Sequence, residues 1–214
     1  FLVMAQDDVI VKGPGVSETR MLSEYFSGLK NTAGDTEIYI LGGSKPGGRA
    51  LVLGGTHPNE PSGYMSAILL IENARTQVGE LWVIPQSNLT GFTHNDAQEA
   101  SPQGFTIPTP WGERYFRYGS RATNPINQWP DPDIYIHASS GQRLSGSEVR
   151  NLNRAYPGRA DGNLTEKIAL GITQLIRQEN IDLTIDLHEA SPEYPVINAI
   201  VAHERARPLA ASVA

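Results

Sequence analysis

The sequence GGTHPNEPSG, residues 54–63, lies directly after an apolar run at 50–53 and directly before a segment of periodic apolar residues at 64–71. A short apolar run followed by such a periodicity predicts a buried strand and then a helix, so the quoted stretch is expected to form the turn between them. Pro58 and Pro61 lack the N–H that a helix interior requires, which excludes a regular helix through the turn. Pro61 is predicted to be the first residue of the helix, where the missing N–H has no consequence.

His57 and Glu60 lie three positions apart in this turn, which can direct an imidazole and a carboxylate toward one point. Zinc accepts both groups, and a catalytic zinc site usually has three protein ligands and a water. A third ligand is expected at the end of another strand, and the alternating segment at 181–188 ends in His188. In open α/β sheets the carboxyl ends of strands meet at a ligand-binding edge. Asp186, on the same strand face as His188, could accept a hydrogen bond from either imidazole.

Composition and charge restrict the class of protein. The chain has 214 residues, of which 39% are hydrophobic and 19% charged, and these values are ordinary for one globular domain. The net charge is −6, and there is no run of Lys or Arg, so nucleic acid and acidic membrane surfaces are not expected as partners. The chain has no Cys, which excludes disulfides and thiolate ligands. No apolar run reaches the roughly 20 residues of a membrane span.

The remaining periodic segments alternate between strands and helices. Alternation of this kind predicts an α/β fold with a mixed, largely parallel central sheet flanked by helices, in a single domain over 1–214. Ser17 and Glu18 favour a helix start, so 16–30 is predicted to be helical. The other predicted elements are strands at 37–41, 50–53 and 81–84 and helices at about 61–75 and 163–179, the last with Asn163 as its N-cap.

The segment 86–150 interrupts this alternation. It contains several prolines and clusters of Trp and Tyr, and it has little periodicity. A loop of this length is uncommon in a compact domain and is usually functional, and its density of aromatic residues argues against disorder. We expect an ordered excursion that shapes one rim of the site. The alternative is a surface embellishment that packs on itself.

The sequence NLNRAYPG, residues 151–158, follows the excursion. Arg154 stands beside Asn153 in a loop that ends in Pro-Gly, and this combination suits the recognition of a carboxylate. A guanidinium can bind a carboxylate through two parallel hydrogen bonds, supported here by an amide. The alternative is an arginine that is solvated or takes part in a minor surface ion pair.

Three motifs carry a family resemblance: GGTHPNEPSG at 54–63, NLNRAYPG at 151–158 and DLHE at 186–189, in that order. Together they resemble the zinc carboxypeptidase superfamily, and within it the succinylglutamate desuccinylase/aspartoacylase-like branch. That branch has a GGxHGNE-type loop, a DLNRxFPG-type loop and a strand ending in DLH. PQSNLTGF at 85–92 also resembles the segment between the first two motifs of the branch. Three motifs in order are fairly specific, and the resemblance spans roughly residues 37–202 apart from the excursion.

The resemblance implies a zinc carboxypeptidase-like fold with one zinc ion held by His57, Glu60 and His188. It also implies that Asn153 and Arg154 hold a carboxylate of the substrate. Both expectations agree with the chemistry of these side chains, because imidazole and carboxylate groups bind zinc and a guanidinium binds carboxylates.

In such proteins a second arginine, which polarises the scissile carbonyl, usually precedes the NLNR loop. Arg143 is the candidate for this role, and Arg150 is the alternative, because the spacing between the arginine and the NLNR loop in RLSGSEVRNLNR is not the common one. Two positions depart from the branch: Pro58 stands where Gly is usual, and Asn151 stands where Asp is usual.

A third departure concerns the general base, a Glu that such enzymes carry well beyond the last zinc ligand. Only 26 residues follow His188, so the base is expected beyond Ala214, in a chain that is incomplete at its C-terminus. Glu189, Glu193 and Glu204 are weaker candidates for the base. Glu189 is expected on the opposite face of the strand from His188, and Glu193 and Glu204 are expected to be solvated.

The function implied by the resemblance is that of a zinc-dependent hydrolase that cleaves an amide bond next to a carboxylate, an N-acyl amino acid deacylase. The alternatives are a metallocarboxypeptidase that acts on peptides and a non-catalytic module that binds zinc and a carboxylate. The expected partner is a small-molecule or peptide substrate with a free carboxylate. Phe1 to Ala5 resemble the end of a signal peptide, which predicts a periplasmic or secreted protein; the alternative is an N-terminal strand in a cytoplasmic protein.

Overall fold

The computed structural model describes residues 10–95, 102–110, 112–191, 193–195 and 199–213. The nine strands of these ranges are Glu18–Met21 (β1), Glu37–Gly42 (β2), Lys45–Leu53 (β3), Val78–Ile84 (β4), Gly104–Thr109 (β5), Gly112–Arg117 (β6), Ile134–Ile136 (β7), Arg143–Ser145 (β8) and Leu183–Asp186 (β9). The α-helices are Pro61–Asn73 (α1), Leu164–Gln178 (α2) and Arg207–Val213 (α3). Trp111 and the apolar residues 1–5, on which sequence-based expectations rest, lie outside the described residues.

A mixed five-stranded sheet, in the order β1-β2-β4-β3-β9, forms the centre of the fold. The pairs β1–β2 and β2–β4 are antiparallel, whereas β3 pairs in parallel with both β4 and β9. The predicted mixed α/β class is therefore confirmed. Its parallel half contains the strands that lead into the first and third motifs.

Helices cover both faces of this sheet, and the alternation along β2 shows why. Ile38 and Ile40 belong to a buried cluster with Ile168 of α2, while Tyr39 and Leu41 belong to a second cluster with Ile71 of α1. Side chains of successive strand residues point to opposite faces, so a strand that is apolar throughout requires a helix on each side. Full burial of one such aliphatic side chain stabilises the fold by about 1.5–3 kcal/mol.

The helix α2 begins at the predicted cap. The Asn163 side chain accepts a hydrogen bond from the backbone N–H of Glu166 at 2.9 Å, and the Glu166 carboxylate accepts one from the backbone N–H of Asn163 at 3.1 Å. This capping box satisfies two N–H groups that the first turn of a helix leaves without partners.

The helix predicted at 16–30 is wrong. β1 occupies residues 18–21 and is followed by short 3-10 helices at Leu22–Glu24 and Ser27–Leu29. Leu22 and Leu29 are fully buried, and their spacing is that of one face of a helix. The residues before them instead pair with the edge of β2 as a strand. Ser17, the expected cap, instead donates a hydrogen bond from its hydroxyl to the carbonyl of Ile40 at 3.0 Å.

The described part of the excursion is ordered, as expected. It forms two antiparallel hairpins, β5–β6 and β7–β8, and 3-10 helices at Leu89–Thr93 and Gly146–Arg150. Three backbone hydrogen bonds join it to the first motif: the N–H groups of Ser87, Asn88 and Gly119 donate to the carbonyls of Gly54, Gly55 and Pro58 at 2.9, 3.0 and 3.2 Å. Among the described helices, none has both the length and the hydrophobicity that crossing a bilayer requires.

Candidate metal centre

The register between β3 and β9 brings two of the motifs together. Leu53 and Asp186, near the ends of these parallel strands, are direct partners, so the loops that follow them leave the sheet side by side. Gly63 in α1 permits this approach, because a Cβ at that position would lie 2.6 Å from the carbonyl oxygen of Leu187. The third motif therefore packs directly on the first turn of the helix that the first motif begins.

Gly55 allows the chain to reverse at the end of β3. Its φ is +64°, a left-handed conformation that glycine adopts without the strain of a side chain. A Cβ at this position would also lie 2.7 Å from the Phe92 ring and 3.1 Å from the carbonyl oxygen of Pro85. The reversal places the next residues over the carboxyl ends of the parallel strands.

Three side chains from the two loops converge there. His57 Nδ1 lies 2.9 Å from Glu60 Oε1, and His188 Nδ1 lies 2.8 Å from Glu60 Oε2. The two imidazole rings are 4.8 Å apart between centroids. One potential ligand atom from each of the three residues lies within 4.8 Å of the other two, so this group could hold a metal ion. His57 is buried and Glu60 nearly so, while His188 is partly exposed.

The second nitrogen of each imidazole faces an oxygen atom. His57 Nε2 lies 2.9 Å from Asn151 Oδ1, and His188 Nε2 lies 3.1 Å from Asp186 Oδ2. The other oxygen of Asp186 accepts a hydrogen bond from the Thr56 hydroxyl at 2.8 Å. Asp186 thus makes the kind of contact expected from the sequence, and its imidazole partner is His188.

The chemistry of this donor set fits zinc. Zinc binds imidazole nitrogen and carboxylate oxygen at about 2 Å, and small shifts of the three side chains would produce that spacing. Histidines that bind a metal through one ring nitrogen almost always donate the other N–H to an oxygen atom. Both imidazoles show this arrangement, with Nδ1 directed at the shared carboxylate and Nε2 at an outer oxygen.

The contacts within the cluster shift two pKa values in opposite directions. Burial raises the pKa of Glu60, but hydrogen bonds with His188 and His57 outweigh it, and the pKa falls from 4.5 to about 2. Hydrogen bonds with Asp186 and Glu60 raise the pKa of His188 from 6.5 to about 9, although burial opposes the change. In the absence of a metal ion, His188 is therefore a cation at neutral pH and Glu60 an anion.

Glu189, the residue after His188, joins the two loops. Its backbone N–H donates to Glu60 Oε2 at 3.2 Å, and its carboxylate accepts a hydrogen bond from the backbone N–H of Ser62 in the first turn of α1. Negative charge at a helix N-terminus is stabilising. The carboxylate of Glu189 thus caps α1, and the backbone of the same residue supports the carboxylate of Glu60.

Arg121, which belongs to the excursion, is a residue of the site that the sequence did not predict. Arg121 Nη1 lies 3.2 Å from His57 Nδ1 and 3.3 Å from Glu60 Oε1. Arg143 does not take this place: it is exposed on β8, and within the described part of the chain its side chain makes no hydrogen bond or ion pair. Arg150, the alternative, is held by Asp131, with Nε 2.8 Å from Oδ1. Arg121 is thus the arginine that the structure places beside the cluster, and the catalytic role assigned to Arg143 stays a prediction.

The NLNR loop adjoins the cluster through Asn151. The backbone N–H of Asn153 donates to Asn151 Oδ1 at 3.0 Å, beside the contact of the same oxygen with His57. The side chains of Asn153 and Arg154 remain accessible, and Arg154 Nε lies 3.6 Å from Glu148 Oε2. Asn153 and Arg154 therefore lie in a loop that contacts the His57 imidazole through Asn151, and their role as a carboxylate clamp stays a prediction.

The fold and the cluster describe a mixed α/β protein with a His-Glu-His group at the carboxyl edge of its sheet. No family model matches the chain. A stretch of 65 residues is 35% identical to the N-alpha-acetyl-L-2,4-diaminobutyric acid deacetylase of Halomonas elongata, and it covers 30% of this chain and 19% of that protein.

Solved structures similar to the chain include an aspartoacylase family protein from Mesorhizobium loti (25% identity, TM-score 0.41), with 72% of this chain and 34% of that protein covered. The product-bound ectoine utilization protein EutE (DoeB) from Ruegeria pomeroyi has 22% identity and a TM-score of 0.44, with 72% and 33% covered. A succinylglutamate desuccinylase/aspartoacylase from Rhodobacter sphaeroides has 16% identity and a TM-score of 0.39, with 73% and 34% covered.

The names of these proteins agree with the resemblance that the three motifs indicate. The chain spans about a third of the length of the solved structures and 19% of the deacetylase. The activities and substrates of those whole proteins are therefore taken up for this chain as proposals.

Proposed function

We propose that this chain contributes the metal centre and the carboxylate clamp of a zinc-dependent hydrolase that cleaves an amide bond next to a carboxylate. The ligands are His57, Glu60 and His188. One observation carries the proposal: both imidazoles direct Nδ1 at the same carboxylate while both Nε2 atoms face outer oxygens. The three potential ligand atoms then lie on one side, and the oxygen atoms that face the two Nε2 atoms lie on the other. This is the usual arrangement of a metal site.

A zinc ion bound there supplies a Lewis acid and lowers the pKa of a coordinated water toward 7. Arg121 then has a distinct task. Its guanidinium lies beside the ligands, with 41% of its side chain exposed, so it can reach both the cluster and a bound substrate. A fixed cation in this position stabilises the negative charge that develops on the carbonyl oxygen as the amide is attacked.

Asn153 and Arg154 are proposed to hold the carboxylate of the substrate. The guanidinium of Arg154 donates a hydrogen bond to the carbonyl of Asn153 at 3.2 Å, and its contact with Glu148 is long, at 3.6 Å between partly exposed groups. An ion pair of that kind contributes little to stability, so a substrate carboxylate can displace it and form two shorter hydrogen bonds. The general base stays a prediction.

The substrate class follows from the clamp and from the relatives together. We propose an N-acyl amino acid, because a fixed arginine near the metal suits a free carboxylate and because the name of the Halomonas elongata relative is that of a deacetylase for an N-acetylated amino acid. A peptide also ends in a carboxylate, so a carboxypeptidase activity requires only a larger pocket on the opposite side of the scissile bond.

Zinc analysis tests the centre directly. The purified protein is expected to bind one zinc ion, measured by elemental analysis and by competition with a chromogenic chelator. His57→Ala and His188→Ala should abolish stoichiometric binding, because each removes one of three ligands. His203→Ala is the matched control, since His203 is exposed in the C-terminal segment. Retention of stoichiometric zinc by either ligand variant would refute the assignment.

Substrate screening then separates the activities. The zinc-loaded full-length protein would be assayed with N-acetyl amino acids, including the diaminobutyrate derivative, with N-succinyl amino acids and with short peptides. Release of free amino acid from an N-acyl substrate supports the deacylase. Cleavage confined to peptides indicates a carboxypeptidase, and zinc binding without either activity indicates a binding module.

A further inference from the structure

A chain of hydrogen bonds leads from the surface to the imidazole of His57. Glu148 Oε2 accepts a hydrogen bond from Asn151 Nδ2 at 2.8 Å, and Asn151 Oδ1 lies 2.9 Å from His57 Nε2. The same Oδ1 accepts a hydrogen bond from the backbone N–H of Asn153 at 3.0 Å. Asn151 is almost fully buried, with 2% of its surface exposed, so water does not compete for its amide.

The direction of these hydrogen bonds is determined by chemistry. An ionised carboxylate only accepts hydrogen bonds and a backbone N–H only donates them. Glu148 therefore requires the NH₂ group of Asn151, and the N–H of Asn153 requires its carbonyl oxygen. Both requirements turn the carbonyl oxygen of Asn151 toward His57. Because that oxygen is an acceptor, Nε2 of His57 must carry a hydrogen, which leaves Nδ1, facing Glu60 Oε1 at 2.9 Å, as the nitrogen that can offer a lone pair to a metal ion.

We propose that Glu148 is a positioning residue that acts through Asn151 to select the tautomer of His57 that presents its Nδ1 lone pair to a metal ion. The inference rests on the proposed function insofar as it takes His57 to be a ligand. The amide and the carboxylate together do what a single aspartate at position 151 would do elsewhere. Glu148 contacts neither the ion nor the substrate in this scheme.

The hydrogen bond between Glu148 and Asn151 leads to an unusual prediction for the Asn151→Asp variant. Judged from the motif alone, this change should be harmless, because Asp is the usual residue at the position. In the structure, however, the new carboxylate would replace the NH₂ group that lies 2.8 Å from Glu148 Oε2. Two carboxylates at hydrogen-bond distance repel each other, so the side chain at 151 would turn away from Glu148 and His57 would lose its fixed acceptor.

The double variant Glu148→Gln/Asn151→Asp exchanges the amide and the carboxylate. The NH₂ group of the glutamine introduced at position 148 would donate to the carboxylate introduced at position 151. That carboxylate would still accept hydrogen bonds from His57 and from the Asn153 N–H, so the acceptor toward His57 is restored. The single variant Glu148→Gln keeps an acceptor for the Asn151 amide, and its effect should therefore be small.

Zinc affinity, measured by chelator competition, is the first readout. Loss of an outer partner of a metal ligand typically weakens binding about 10–100-fold. We expect Asn151→Asp to weaken zinc binding about tenfold or more, Glu148→Gln by about threefold or less, and the double variant to recover at least about fivefold relative to Asn151→Asp. Glu113→Gln, which changes an exposed acid on β6, is the control. Losses that simply multiply in the double variant would overturn the proposal.

A second readout does not depend on zinc. The ¹⁵N chemical shifts of the His57 ring report which nitrogen carries a hydrogen, and they can be recorded on the zinc-free protein over a range of pH. Nε2 should be protonated in the wild type and in the double variant, while in Asn151→Leu, which has no acceptor at Nε2, the hydrogen should shift toward Nδ1, which faces Glu60 Oε1 at 2.9 Å. An unprotonated Nε2 in the wild type would disprove tautomer selection. A wild type that shows this tautomer and binds no zinc would instead refute the proposed function alone.

Discussion

Zinc binding should release a proton from His188, and this release can be measured. Hydrogen bonds with Asp186 and Glu60 raise the pKa of His188 from 6.5 to about 9 in the metal-free protein. A histidine binds zinc only in its neutral form, so the proton must leave when the ion arrives. At pH 7 this site should release about one proton, whereas an ordinary histidine with a pKa near 6.5 would release about a quarter of a proton.

The perturbation is Asp186→Asn, which removes the largest cause of the raised pKa. The amide keeps an oxygen that can accept from the Thr56 hydroxyl, now 2.8 Å from Asp186 Oδ1. Titration calorimetry in buffers of different ionisation enthalpy gives the number of protons released. For the wild type, the contribution of His188 makes the apparent affinity rise about tenfold per pH unit between pH 7 and 9. For Asp186→Asn this slope and the proton release at pH 7 should both be smaller.

The same pKa predicts how the zinc-free fold responds to pH. The pKa of His188 is raised on folding, so its stabilising contribution is complete below pH 6.5 and is lost as the pH rises to about 9. The contribution is at most about 3 kcal/mol, because the side chain is 30% exposed and solvent screens part of it. The Tm measured with a chelator should therefore fall over this range in the wild type and less in Asp186→Asn. Equal proton release and equal Tm profiles in the two proteins would refute the reasoning.

Three other predictions concern the arginines and the helix cap. Arg121→Ala should lower turnover about 100-fold with a small change in KM, whereas Arg143→Ala should stay within about twofold; steady-state kinetics that show the reverse would restore the assignment made from the sequence. Arg154→Ala should raise KM for substrates with a carboxylate about tenfold or more, and an unchanged KM would argue against the clamp. Asn163→Ala should destabilise the protein by about 1 kcal/mol in denaturant unfolding, because α2 loses its capping box.

The sequence was sufficient to predict the elements that depend on local rules. The strand–turn–helix at the first motif follows from an apolar run, two prolines and an apolar period, and α1 begins at Pro61 as expected. The cap at Asn163 follows from the preference of an asparagine side chain for a free backbone N–H. The meeting of His57 and His188 follows from the fact that parallel neighbours end at the same edge of a sheet.

The helix predicted at 16–30 failed because tertiary contacts outweighed a local pattern. The spacing of Leu22 and Leu29 matches a helix, but both side chains are buried although they belong to two separate 3-10 helices. The hydrogen bonds between β1 and β2 hold the preceding residues in an extended conformation. Arg121 was missed because the choice of an arginine relied on its distance in sequence from the NLNR loop. The β7–β8 hairpin lies between the two, and an inserted hairpin lengthens the sequence without separating its ends.

Asn151 shows why a motif position cannot be interpreted by itself. In the sequence it is a departure from an expected aspartate, and a missing charge beside a metal ligand suggests a weakened site. In the structure Glu148 accepts a hydrogen bond from the amide NH₂ of Asn151, and this bond turns the amide oxygen of Asn151 toward His57. Glu148 and Asn151 lie three positions apart, at the end of one short 3-10 helix. The acceptor that faces His57 is therefore set by the residues at positions 148 and 151 together. A site of this kind is defined by its hydrogen-bond polarity rather than by any single side chain, and polarity becomes visible only when donors and acceptors are traced atom by atom.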